Sequence, residues 1–235
     1  MAANEEPVSA LAARMAGLLW LVTIVAGIFA EVFVRSRLVI GDNAVATAHN
    51  IVRSEHLFRF GVAADLIGVL AYVGVTLILY VIFRRANREL AVAQLAFGLA
   101  GCIVTAANLP AFYAPVVMLT RLAPLGGMSE PALDLLVLGA LKAYVFGYLI
   151  SLTFFAVQVL MIGALILGSK LYPRLFGWLF IVEAVCNFTY PILVLIAPAL
   201  ASAVSAYILL PGLPAEGGFA ACLLIMGVQT PRAST

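Results

Sequence analysis

Apolar residues run along this chain in long blocks, not at the two-residue period of a half-buried strand or the 3.6-residue period of a surface helix. Charges and Pro/Gly clusters separate the blocks. They predict helices near 15–34, 61–83, 90–109, 141–167, 175–196 and 213–228, of the order of the roughly 20 residues that cross a bilayer core. Pro198, Pro211 and Pro214 interrupt the chain ahead of the last block. They set 199–210 apart as a short helix expected to lie at the membrane surface, outside the final span.

Between the first two blocks lies a polar stretch with a different pattern. Ile40-Gly41-Asp42 reads as a turn leading to an N-cap, followed by a helix through 43–60. On that helix His49, Arg53 and His56 fall at i, i+4 and i+7 and share one face, with Asn50, Ser54 and Glu55 close by. A helix this polar that enters directly into a span is expected to lie along the membrane interface as a lid over the mouth of the bundle.

Composition strengthens this picture. Of 235 residues, 65% are hydrophobic and 10% charged, and the mean hydropathy is +1.15. A soluble domain of this size cannot hide so much apolar surface. The expected fold is all-α: a polytopic transmembrane helical bundle of about six spans, one integral-membrane domain over residues 1–235, with an extra interfacial helix between the first and second spans. Thirteen Lys and Arg against eleven Asp and Glu give a formal charge of +2, too weak a field to gather nucleic acid. Cys102, Cys186 and Cys222 sit in apolar runs without a CxxC pair, so they read as packing residues, not as a disulfide framework or zinc ribbon. Glu5 and Glu6 stand where a signal peptide has its basic region, which makes the first block a retained span.

Orientation follows from basic residues in short connections. Arg84, Arg85 and Arg88 crowd the second, Lys170 and Arg174 the fourth, and the fifth has none, which puts both termini in the cytoplasm. The first connection carries Arg35, Arg37, Arg53 and Arg59, which alone would keep it inside. It also carries Asp42 and Glu55, with Glu31 and Asp65 at its borders, and is read as internally paired.

Polar residues inside the blocks are spaced in stripes: Gln94, Gly98, Gly101, Thr105 and Asn108; Gly61, Asp65, Gly68, Tyr72 and Thr76; Glu183, Asn187 and Tyr190. Tyr144, Tyr148, Ser151 and Gln158 line part of the fourth span, and Gly27 and Glu31 close the first. Small and hydroxylated residues of this kind ordinarily let helices approach. A carboxylate is different, costing about 2.5–3.5 kcal/mol at the centre of a membrane helix even on the lenient insertion scale. Glu31, Asp65 and Glu183 therefore demand partners, and Arg35, Arg53 or Arg59 can supply them. With the orientation above, Glu31, Asp65, Asn108, Tyr144, Asn187 and Glu216 all fall in the outer half of the membrane, where with the lid they frame one outward polar pocket. The pocket residues expected are Glu31, Arg35, His49, Asn50, Arg53, Glu55, His56, Arg59, Asp65, Asn108, Tyr144, Glu183 and Asn187. The plainer alternative is a structural charge latch that plugs the mouth.

The pattern Arg14-x-Ala16-Gly17 with Trp20, Gly27-x-x-x-Glu31-x-x-Val34-Arg35, Gly41-Asp42, Thr47, Asn50-Ile51, Glu55-x-Leu57-Phe58-Arg59-x-Gly61 and Asp65-Leu66 resembles a bacterial integral-membrane family known only as domain of unknown function 4386. The likeness covers the first third of the chain and returns in Leu223-Leu224 and Gly227-Val228; Cys222 stands where a tryptophan is expected. The resemblance implies a six-helix protein of the bacterial cytoplasmic membrane and supplies no catalytic residues.

Three functions are open at this point. The first is a sensor- or carrier-type binding protein whose outward pocket takes a lipid headgroup or small molecule, in contact with membrane lipids and with no cofactor. The second is a metal-dependent intramembrane hydrolase, with zinc held by His49 and His56 together with Asp65, Glu55 or Glu183. An i, i+7 pair lies about 10 Å apart on a straight helix and needs a bend to meet on one ion, and no HExxH occurs. Bis-histidine haem is strained for the same reason, and a serine hydrolase lacks its GxSxG. The third is a structural or accessory subunit of another membrane protein.

Overall fold

The structure, a computed structural model, describes residues 10–227; Glu5, Glu6 and Val228 lie outside the described residues. Within them six helices are long and apolar enough to cross a membrane: α1 (Ala10–Leu38), α3 (Glu55–Phe83), α4 (Arg88–Leu125), α5 (Glu130–Ser169), α6 (Arg174–Ile196) and α7 (Pro198–Met226). A short helix, α2 (Ala44–Arg53), stands between the first two. The protein is an all-helical, multi-pass membrane protein.

Several boundaries differ from expectation. The interfacial helix expected over 43–60 ends at Arg53, because Ser54 leaves helical geometry (φ −122°, ψ 37°); Glu55 then opens α3, one helix with the second span. His49 and Arg53 thus sit on α2 and His56 on α3. The N-cap is Asn43, whose side chain accepts from the Ala46 N–H at 3.0 Å. Gly41 takes φ +42° in the preceding turn, in the left-handed region where a side chain is strained. The third span does not stop at Leu109. Its helix runs through Pro110 and Pro115 to Val117 and continues in a wide turn and a 3-10 turn to Leu125; membrane helices tolerate proline where neighbours take up the freed backbone groups. The fourth begins at Glu130, eleven residues before the apolar block at 141. The surface helix expected over 199–210 is instead the first part of the candidate span α7: residues 198–208 are helical, and after a turn at 209–211 the chain continues as a π-helical segment (Leu213–Gly217) and a final α-helical stretch (Gly218–Met226).

Two compact units divide the chain. Unit 1 takes residues 10–21, 71–101 and 152–227 of the described chain. At its centre Trp20 is fully buried, its ring stacked on Phe180 at 5.8 Å and edge-on to Phe219 at 5.9 Å. Its polar core is an amide network: Gln94 Nε2 donates to the Thr76 carbonyl (3.2 Å), and Gln158 Nε2 donates to Thr76 Oγ1 (3.0 Å) and Gln94 Oε1 (3.4 Å). Gly98, on the stripe with Gln94, has no side chain because a Cβ there would overlap the Gln158 amide.

Unit 2 takes residues 22–70 and 102–151. Val34, Leu38, Ile51, Phe58, Phe112, Val116, Val137, Leu141 and Tyr144 form one buried cluster. Gly61 of α3 lies so close to α1 that a Cβ would press on the Val34 side chain. The Asn108 amide packs against Gly147 and donates to the Tyr144 carbonyl at 2.6 Å.

Close helix approach at Gly98 predicts that Gly98→Ala destabilises by about 1–3 kcal/mol through overpacking. Gly139→Ala, where a Cβ meets nothing within 4 Å, should leave the thermal midpoint in detergent unchanged. Scanning fluorimetry of both variants checks this.

Candidate functional site

The first charged locus begins with a local irregularity. Residues Phe29–Arg35 of α1 form a π-helical turn that carries Glu31 and Arg35, and such widened turns recur at functional positions. Four residues apart on one side of the turn, Arg35 Nε donates to Glu31 Oε2 at 2.6 Å. Arg35 Nη1 donates to Asp65 Oδ2 of α3 at 2.6 Å and to the Tyr144 hydroxyl of α5 at 3.1 Å. The same hydroxyl donates to Asp65 Oδ2 at 2.9 Å, closing a three-membered ring. The guanidinium also lies 5.1 Å from the centre of the Phe112 ring of α4. One arginine thereby contacts three other helices of unit 2. The ring is not sealed: the side chains of Arg35 and Asp65 are 17% and 11% exposed, and that of Glu31 is 60% exposed.

A second pair repeats the pattern. Arg59 Nη2 reaches Glu55 Oε1 at 2.6 Å, four residues apart on α3, and Nη1 donates to the Tyr113 hydroxyl of α4 at 2.6 Å. At the turn before α2 the Lys142 ammonium pairs with Asp42 and holds that exposed carboxyl below the usual carboxylate range. Asp42 sits in the turn that leads to the Asn43 cap, as the sequence indicated, and its charge is drawn to α5.

Of the thirteen residues expected to frame one pocket, the structure brings Glu31, Arg35, Asp65 and Tyr144 into direct hydrogen bonding. Asn108 joins through the Tyr144 carbonyl, and Glu55 and Arg59 pair with each other. Asn50 Nδ2 donates to the Leu38 carbonyl at 3.4 Å and pins α2 to the end of α1. His49, Arg53 and His56 are exposed, and Arg53 pairs with no carboxylate among the described residues. Glu183 and Asn187 belong to unit 1, where Asn187 Nδ2 donates to Glu183 Oε1 at 3.2 Å. Glu216 also belongs to unit 1, where it accepts from the Trp20 indole N–H at 3.2 Å.

Sequence reasoning passed over Phe112, Tyr113 and Lys142. The first two follow Pro110, beyond the expected end of the third span, so an aromatic pair just past a proline was the available signal. No three His, Cys, Asp or Glu side chains gather closely enough to hold a metal ion among the described residues.

Chemically, the unit 2 locus offers charged hydrogen-bonding edges of both signs in a partly dry setting. Arg35 Nη2 is a donor and Asp65 Oδ1 an acceptor that no group among the described residues engages. The model of a family described as Domain of unknown function (DUF4386) matches residues 15–227. No curated protein and no solved structure matches the chain.

The ring predicts unequal sensitivity. Tyr144→Phe removes both bonds of a buried hydroxyl and should cost about 1–3 kcal/mol, whereas Glu31→Gln, at an exposed pair, should stay within about 0.5 kcal/mol. Thermal or denaturant unfolding of the purified variants measures the difference.

Proposed function

This chain belongs to the family described as Domain of unknown function (DUF4386), and from that premise we propose that it is a binding protein of the bacterial cytoplasmic membrane, with both termini in the cytoplasm and unit 2 facing outward. Its ligand is zwitterionic: a lipid headgroup, or a small molecule of the same chemistry, carrying an ammonium beside a phosphate or carboxylate.

The observation that carries this reading is the partly open Arg35–Asp65 pair. A ring serving only as a latch gains most when every donor and acceptor in it is satisfied. Here an N–H of the Arg35 guanidinium and one oxygen of the Asp65 carboxylate are left without a hydrogen-bond partner among the described residues, and the Glu31 partner of Arg35 is exposed. A headgroup anion can bridge to Arg35 and its ammonium to Asp65 or Glu31. Arg53 and His49, one turn apart on the exposed side of α2, meet the same ligand at the interface in this reading. Glu183 and Asn187 are left out, since each is bonded to the other. The lipid layer itself supplies headgroups at high local concentration, so modest affinity suffices.

The test is lipid retention by native mass spectrometry, with phosphatidylethanolamine and phosphatidylglycerol offered in equal amounts to the detergent-purified full chain. Preferential retention of phosphatidylethanolamine is expected, reduced at least tenfold, about 1.4 kcal/mol, by Asp65→Asn and by Arg53→Ala. A fall in melting temperature with headgroup preference unchanged would make the ring a latch and refute the binding reading.

A further inference from the structure

Unit 1 contains two carboxyl groups that the locus above does not use. Glu183, near the middle of α6, is 2% exposed. It lies within hydrogen-bonding reach of Glu216, on the π-helical turn Leu213–Gly217 of α7. Glu183 Oε1 accepts from Asn187, and Glu216 Oε2 accepts from Trp20. Glu183 Oε2 is fully buried and receives no hydrogen bond. No cationic side chain reaches either carboxyl among the described residues: Arg14 of α1 and Arg174 of α6 make no ion pair with them, nor do Cys186, Tyr190 or Cys222 hydrogen-bond to them.

Two ionised carboxylates cannot share such a place. Their mutual repulsion in a poorly screened site adds to the cost of taking each charge out of water. Asn187 and Trp20 each offer one N–H, enough to stabilise one negative charge but not two. What the arrangement lacks is a donor at Glu183 Oε2.

We propose that Glu183 and Glu216 form a proton-binding site in unit 1, in which one proton bridges Glu183 Oε2 and Glu216 and the pair carries a single negative charge. The proton comes from bulk water as hydronium and forms an O–H bond to one carboxyl; release returns it to water and leaves two facing carboxylates. Gly212 lies against Glu183, where a Cβ would stand 3.4 Å from Oε1, so the backbone before the π-helical turn packs directly on the pair. The segment from the turn at 209–211 to Gly217 departs from regular α-helix, as in the discontinuous membrane helices that carry ion and proton sites.

The experiment is infrared spectroscopy of the full chain in lipid nanodiscs at neutral pH, as the wild type minus Glu183→Gln difference, repeated with Glu216→Gln. Each glutamine keeps a donor for the remaining carboxylate, so both variants are expected to fold, which their melting curves verify. The expected result is a protonated-carboxyl C=O stretch, equivalent to one proton per chain, that shifts in deuterium oxide, is lost in both variants and persists when sodium chloride replaces choline chloride. Carboxylate bands alone in the difference spectrum would overturn the proposal. So would loss of the protonated band on adding sodium, which would assign the site to a metal cation.

Discussion

An ionised side chain inside a membrane span must bring its own solvent, and the polar architecture of this protein follows from that constraint. Arg35 shows how it is met. Its guanidinium is surrounded by two carboxylates, a phenol and an aromatic face drawn from four helices, which replace water with fixed dipoles and countercharges. Removing the charge from its partners would strand it in hydrocarbon. The helices of unit 2 that supply those partners are therefore tied to one another by more than packing, and the buried aliphatic and aromatic cluster around Val34, Phe58 and Phe112 closes over the tie.

In unit 1 the buried polar groups described above are met without a cationic partner among the described residues. Its amide network satisfies neutral groups with neutral groups through Thr76, Gln94 and Gln158. Its two carboxyls meet only N–H donors, from Trp20 and Asn187. The contrast separates two chemistries within one chain: an ion-paired locus with uncommitted charged edges, suited to a ligand of both signs, and a locus of facing acids, suited to a proton. Both sit beside or on π-helical turns, Phe29–Arg35 and Leu213–Gly217, where the widened backbone redirects side chains that a regular helix would space differently.

The spans themselves were legible in the sequence because hydropathy over about twenty residues is a strong signal. So was the demand of Glu31 and Asp65 for a basic partner. Boundaries were less legible. The third span was expected over 90–109, but its helix runs on through Pro110, since proline inside a membrane helix removes one hydrogen bond without ending it, so Phe112 and Tyr113 fell beyond the expected span. Ser54 carries no strong breaker signal, and the interfacial helix was read straight through it. The meeting of Glu183 with Glu216 was not legible, because it joins residues of two different spans and spacing along a chain does not say which neighbour a helix faces. The residues that carried the family resemblance are themselves in contact: Glu31 with Arg35, Arg35 with Asp65, Glu55 with Arg59, and Val34 with Gly61. That part of the motif describes how α1 and α3 join within unit 2.

The Arg35–Asp65 interaction holds unit 2 together as a coupled pair, not as two separately useful polar groups. A double-mutant cycle over Arg35→Gln and Asp65→Asn, read as unfolding free energy in one detergent, measures that coupling directly. The account predicts that each single variant is strongly destabilised and that the double variant recovers about 1–3 kcal/mol of their summed loss. Additive losses, within about 0.5 kcal/mol, would contradict it.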